Sequence, residues 1–119
     1  MKTIMKVKFI VWTLCFILLN VFGENIGISA PSQLRLIRAT YTKITIAWDT
    51  PVASNLQLAG YRVFRDGQEI ATVSQSEFKD ENLESGTTYR YKVVAVTAGG
   101  AVSPASVELS ISTIKSVPF

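Results

Sequence analysis

The sequence predicts an all-β sandwich of seven short strands, and three observations support this fold class. Apolar and polar residues alternate in short segments such as residues 43–49 (KITIAWD), and a period of two is typical of half-buried strands. Turn-forming pairs, among them Asp66-Gly67 and Gly99-Gly100, separate these segments. No window shows the apolar stripe of an amphipathic helix. Short strands joined by turns, without helices, are typical of two packed sheets.

Each strand is predicted where an alternating segment lies between turn signals, so its ends are approximate. In chain order, the strands are predicted at residues 33–39, 43–49, 60–65, 69–73, 77–79, 88–97 and 106–113. Because successive side chains of a strand point to opposite faces, alternation also predicts which residues lie between the sheets. These inward residues are Leu34, Leu36, Ile44, Ile46, Trp48, Tyr61, Val63, Phe78, Leu83, Tyr91, Val93, Val107, Leu109 and Ile111.

The N-terminal segment has the layout of a secretory signal peptide. Residues 1–8 carry three lysines and no acid, residues 9–19 (FIVWTLCFILL) form a short apolar run, and a small residue, Gly23, follows. A transmembrane helix needs about 20 apolar residues, so cleavage is favoured over a retained anchor. Cleavage near Gly23 predicts a secreted or extracytoplasmic protein, in the periplasm or at the cell surface. Contact with a membrane is expected only if this segment stays uncleaved.

Cleavage would divide the chain into four parts. Residues 1–23 are the predicted signal peptide, 24–32 a short lead-in, 33–113 the domain and 114–119 a C-terminal tail. Removing three lysines leaves nine of the twelve basic residues, against nine acidic residues. The processed domain is therefore neutral, whereas nucleic-acid binding needs a basic surface. We expect no nucleic-acid partner.

The sequence lacks the side chains of several common catalytic and metal sites. There is no histidine, and the single cysteine, Cys15, lies in the predicted signal peptide. This excludes a Ser-His-Asp triad and His-based zinc sites, so we predict no catalytic residue, no cofactor and no metal. Asp80, Glu81 and Glu84 form the one notable acidic cluster. Because charged residues are normally exposed, we interpret it as a solvated loop in which Asp80 ends a strand.

Several segments, in order along the chain, resemble the fibronectin type III family. They are the opening Ala30-Pro31, the segment 44–51 (ITIAWDTP), the segment 60–67 (GYRVFRDG) and the corner 83–89 (LESGTTY). The resemblance covers residues 30–113 and implies the immunoglobulin-like topology of that family. It also implies that the Tyr89 hydroxyl bonds to backbone a few residues upstream. Gly86 is expected at positive φ, which strains residues with a Cβ.

One surface is a candidate for binding a partner. The strands at 60–65 and 88–97 should be neighbours, and their outward side chains form a mixed apolar and basic stripe. Its members are Arg62, Phe64, Arg90, Lys92, Val94 and Val96. The alternative is that these side chains only cover the sheet and pair with Glu69 or Glu108, since such cross-strand pairs are common.

The predicted function is a non-catalytic, secreted or surface-exposed module that binds a protein or cell-surface partner, which would be an unknown protein or glycan. Two alternatives stay open. One is a carbohydrate-binding accessory module, for which Tyr41 and Phe64 are the candidate stacking rings. The other is a spacer or a fragment of a larger secreted carbohydrate-active enzyme. The fold alone does not distinguish these functions.

Overall fold

The structure is a computed structural model that describes residues 27–51 and 57–117, so the predicted signal peptide lies outside the described residues. These residues form seven strands and no helix. The strands are β1 (Ser32–Ala39), β2 (Ile44–Asp49), β3 (Leu58–Arg65), β4 (Gln68–Val73), β5 (Glu77–Asp80), β6 (Thr88–Thr97) and β7 (Leu109–Ser112).

Two antiparallel sheets face each other. One has three strands in the order β1-β2-β5, and the other has four in the order β4-β3-β6-β7. This arrangement confirms the predicted sandwich. Six strands lie within two residues of their predicted ends, but β7 begins three residues later than predicted.

Trp48 lies at the centre of the core, with 1% of its surface exposed. Its ring meets that of Tyr61 edge to face at a centroid distance of 5.2 Å, an arrangement that aromatic pairs favour. Ile28, from the predicted lead-in, also belongs to the core. The remaining buried members are Ile44, Ile46, Val63, Leu83, Tyr91, Val93, Ala95 and Ile111.

Two residues predicted to point inward are exposed instead. Leu36 is 46% exposed because β1 is an edge strand and its register shifts between Leu36 and Arg38, which interrupts the alternation. Val107 is 87% exposed because it precedes β7, in a segment outside the regular ladder. The predicted inward positions of Leu36 and Val107 are therefore wrong.

The turns adopt the backbone that their sequences predict. Asp66 and Gly67, which join β3 to β4, have φ angles of 51° and 84°. Two consecutive residues at positive φ match the twist of a two-residue hairpin. Gly86, before β6, has a φ of 59°, as expected from the resemblance.

Candidate interaction surface

The predicted stripe lies on the outer side of the four-stranded sheet, and we call its six residues the four-stranded face. Strands β3 and β6 are neighbours, as predicted. Arg62 lies directly opposite Val94, and Phe64 lies opposite Lys92. Strand β6 also pairs with β7, from Thr88 to Tyr91, so Arg90 lies opposite Ser110, where β6 has a neighbouring strand on one side.

Two of the three basic side chains on this face have acidic neighbours. Arg62 Nε lies 3.6 Å from Glu69 Oε1, and Lys92 Nζ lies 3.7 Å from Glu108 Oε2. All four side chains are more than 40% exposed, and such pairs contribute about 0–1 kcal/mol. They can therefore exchange partners readily. The Arg90 guanidinium has no carboxylate within 4 Å among the described residues.

The apolar members of the four-stranded face differ in accessibility. Phe64 and Val96 are half-buried and offer apolar surface to a partner. Val94 is 8% exposed although it does not belong to the core between the sheets. Long basic side chains cover apolar surface with their stems, and Arg62 stands directly opposite Val94. Val94 therefore supports this face from beneath rather than contributing to its accessible surface.

Asp80 is buried, which corrects the prediction that it lies in a solvated loop. It ends β5 as predicted, but it is 5% exposed. Arg65 Nη1 donates to Oδ1 at 2.7 Å and to Oδ2 at 2.8 Å, and the Tyr91 hydroxyl donates to Oδ2 at 2.7 Å. Asp80 belongs to the three-stranded sheet, and its partners belong to the other sheet. This charged group therefore ties the two sheets together.

The tie changes the titration of its two donors. Burial, and then the hydrogen bond to Asp80, raise the pKa of Tyr91 far above the ordinary value of a tyrosine. The hydrogen bond to Asp80 also raises the pKa of Arg65. Both donors consequently keep their protons. The Arg65 guanidinium also lies 5.7 Å from the centroid of the Tyr89 ring, within the range of a cation–π contact.

The corner before β6 has the bond that the resemblance implies. The backbone N–H of Glu84 donates to the Tyr89 hydroxyl at 2.9 Å, five residues upstream of the tyrosine. Leu83 is buried in the core beside this corner. The hydrogen bond between Glu84 and Tyr89 and the burial of Leu83 therefore both hold the segment that crosses from β5 to β6.

Two buried serines before β7 were missed by the sequence analysis. The Ser106 hydroxyl accepts from Val93 N at 3.0 Å, while Ser106 N donates to Val93 O at 2.9 Å. Ser103 makes the corresponding pair of bonds with Ala95, at 2.8 and 2.9 Å. The two serines thus supply hydrogen bonds to β6 that the backbone of a paired strand would otherwise supply. The sequence signal for this interruption was the repeated small residues around Pro104, because proline has no backbone N–H to donate to a neighbouring strand.

The fold and its corner define the class of protein to which the chain belongs. The sequence model of the fibronectin type III domain family matches residues 29–112 of this chain. This chain belongs to the fibronectin type III domain family.

Known relatives include segments of much longer enzymes. Exoglucanase B of Cellulomonas fimi is 33% identical over 85 residues, which are 71% of this chain and 8% of that enzyme. Chitinase Chi52 of Paenibacillus xylanexedens is also 33% identical over 85 residues, 71% of this chain and 16% of that enzyme. The chain therefore corresponds to a module that occurs as part of larger enzymes.

The solved structures agree on the fold. The sixth fibronectin type III domain of human fibronectin type III domain containing protein 3 has a TM-score of 0.68 and 21% identity, covering 77% of this chain and 91% of that one. At this identity, the likeness supports the fold alone.

Across residues 27–51 and 57–117, no helix has the length and hydrophobicity needed to cross a membrane.

Proposed function

We propose that this chain is a non-catalytic, exported interaction module that binds a protein or cell-surface partner through the four-stranded face. The observation that carries the proposal is the exposed Arg90, whose guanidinium has no carboxylate within 4 Å among the described residues, on the same face as the half-buried Phe64 and Val96. Aromatic and arginine side chains are the residues that most often anchor protein interfaces.

The charge on this face supports an acidic partner. Arg62, Arg90 and Lys92 occupy adjacent strands of a domain that is neutral after the predicted cleavage. Glu69 and Glu108 partly offset Arg62 and Lys92, so the Arg90 guanidinium is the cation of this face towards which a complementary partner surface would be steered. Glu69 and Glu108 would release their weak pairs when a partner carboxylate takes their place.

The test compares two double variants of the full chain. Phe64→Ser with Arg90→Glu is expected to abolish capture of the partner from culture medium or cell-envelope fractions. Ile37→Ser with Lys115→Glu changes an exposed apolar residue and an exposed cation elsewhere, and is expected to keep capture. Melting temperatures are measured for both variants. Equal capture by both, with both folded, would contradict the proposed face.

The carbohydrate-binding accessory module is the second candidate, and the relatives favour it. The matching segments belong to an exoglucanase and a chitinase, so this chain is proposed to accompany a similar catalytic domain, or to act as its spacer. Tyr41 is 51% exposed and is available for sugar stacking. Sedimentation with insoluble cellulose and chitin tests this candidate: loss of binding in Tyr41→Ala supports stacking, and absence of binding by the unmodified chain leaves the spacer role.

We propose that the chain is exported, because its N-terminal segment has the layout of a secretory signal peptide. Mass spectrometry of the protein recovered from culture medium or the cell envelope is expected to give a mature chain that begins at Glu24. An intact N-terminus in the recovered protein would contradict cleavage.

A further inference from the structure

A groove runs along one edge of the sandwich, between the start of β1 and the segment that leads into β7. Its volume is about 510 Å³, and it is lined by residues 30–34 on one side and by Ala105 and residues 107–109 on the other. We call it the edge groove. Beyond the far end of the two strands, Ile114 N donates to Thr40 O at 2.9 Å. The two sheet edges therefore meet at that end and separate towards the groove.

A bulge in β1 shapes the first wall of the edge groove. The register with β2 shifts between Ser32 and Arg35, and Gln33 adopts a φ of 55°. Arg35 holds this backbone in place, because its Nη1 donates to Gln33 O at 2.9 Å and to Asp49 Oδ1 at 3.0 Å. Positive φ is unfavourable for a residue with a Cβ, and such positions are concentrated at binding sites. Bulges at sheet edges often serve the same purpose.

The second wall leads to backbone groups that have no neighbouring strand among the described residues. β7 is the last strand of its sheet and pairs with β6 alone. Thr113 N donates to Thr87 O on that side, and hydrogen-bonded residues alternate with non-bonded ones along an antiparallel pair. The backbone N–H and C=O of Ser110, and by the same alternation those of Glu108, therefore point away from β6 and are available to an added strand.

The side chains that line the edge groove offer apolar surface and a single charge. Val107 is 87% exposed, and Leu34 and Leu109 are half-buried. Glu108 is the one ionisable residue among those that line the groove. Its carboxylate lies 3.7 Å from Lys92 Nζ, and both side chains are more than 40% exposed, so this weak pair leaves Glu108 able to accept another cation.

From these features we infer that the edge groove binds an extended segment of a partner protein in which two apolar residues flank a lysine or arginine. The segment would lie beside β7 as an added strand, bonded to the backbone of Glu108 and Ser110. Because side chains alternate along a strand, every second residue of the segment would point into the groove, towards Leu34 and Val107. The residue between them would lie opposite Glu108, where an opposite charge is favoured.

The charge requirement favours a different protein over a second copy of this chain. Residues 106–113, which include β7, contain no basic residue, so pairing two copies of β7 would place no cation opposite Glu108. Leu34-Arg35-Leu36 has the required pattern, but Arg35 already binds Asp49 within its own sheet. This inference goes beyond the interaction role proposed above and does not rest on the four-stranded face.

Titration of the full chain with the synthetic peptide Ser-Thr-Val-Lys-Val-Thr-Ser, followed by the amide resonances in NMR spectra, tests the inference. The reference peptide has glutamate in place of lysine. We expect the lysine peptide to shift the amide resonances of Glu108 and Ser110, with a dissociation constant on the order of 1 mM or below. It should bind about fivefold more tightly than the reference, and Glu108→Lys should reverse this preference.

Two variants test the apolar wall and the added strand separately. Val107→Ser should weaken binding of the lysine peptide about fivefold, whereas the matched control Val117→Ser, at a valine that is 79% exposed in the C-terminal tail, should not change it. Ser110→Pro removes the N–H that points away from β6, and proline is tolerated at such edge positions. It should also weaken binding about fivefold. Melting temperatures are measured for all three variants.

Four results would overturn the inference. The first is failure of the lysine peptide to bind, and the second is equal binding of the lysine and glutamate peptides. The third is equal affinity of the folded Val107→Ser and Val117→Ser variants. The fourth is a shift of the Glu108 and Ser110 resonances with protein concentration alone, together with a dimer in sedimentation equilibrium, which would show that a second copy occupies the groove.

Discussion

Replacing Arg65 by methionine tests whether the buried charge of Asp80 depends on its partner in the other sheet. The substitution keeps an unbranched apolar stem but removes the guanidinium that spans both carboxylate oxygens. Asp80 would then remain buried with Tyr91 as its one remaining side-chain donor among the described residues. A carboxylate in this setting has lost most of the compensation for its desolvation.

The expected loss follows from the exposure of the two partners. Removing one member of a buried ion pair costs about 3–5 kcal/mol. The Asp80 side chain is 6% exposed, but that of Arg65 is 30% exposed, and solvent already weakens a pair at such a site. We therefore expect Arg65→Met to lower the free energy of unfolding by about 2–3 kcal/mol. Adding Asp80→Asn removes the stranded charge and should restore part of this loss.

Urea denaturation at pH 7 measures the effect, and the chain offers a matched control. Arg62→Met makes the same change on the same strand, where the partner Glu69 is 47% exposed at 3.6 Å. That control should lose at most about 1 kcal/mol. A loss in Arg65→Met within about 0.5 kcal/mol of the control, which is the usual range for surface changes, would refute the role of the tie.

Three further predictions concern single residues. Because the pKa of Tyr91 is raised in the folded state, this tyrosine ionises at lower pH in the unfolded chain, so the free energy of unfolding falls as the pH rises above about 10, by about 1.4 kcal/mol per pH unit for this proton. Tyr91→Phe should remove that part of the slope in urea titrations between pH 9 and 12. An unchanged slope would contradict the shift. Tyr89→Phe loses the hydrogen bond of the corner and should cost about 1 kcal/mol in urea denaturation; a neutral effect would mean that the bond does not stabilise the corner. A Cβ at Gly60 would lie 2.5 Å from the backbone oxygen of Val73, so Gly60→Ala should cost about 1–3 kcal/mol by thermal melting, whereas Gly99→Ala, whose nearest contact is 4.0 Å, should be close to neutral.

The regular part of the fold follows from the sequence because its signals are local. Alternation in residues 43–49 and 88–97 gives the strands that pack around Trp48, and Asp66-Gly67 specifies the hairpin by its backbone preference. The neighbouring positions of β3 and β6 followed from the family topology. The residues of the four-stranded face could therefore be predicted from the sequence, without knowledge of their side-chain contacts.

Positions that depend on tertiary context could not be predicted in this way. The burial of Asp80 requires an arginine and a tyrosine from the other sheet, and nothing in the acidic segment 80–84 indicates them. Leu36 and Val107 fit the alternation, but a bulge and an irregular segment break it there. Arg38 and Lys79 come to lie on either side of Thr45 only through strand pairing.

Trp48→Ala, followed by urea denaturation of the folded chain, examines most directly the claim that two sheets close over one central ring. With 1% of this side chain exposed, the expected loss is about 3–5 kcal/mol, against less than about 1 kcal/mol for Leu36→Ala at the open edge. Similar losses in both variants would contradict the arrangement of the core.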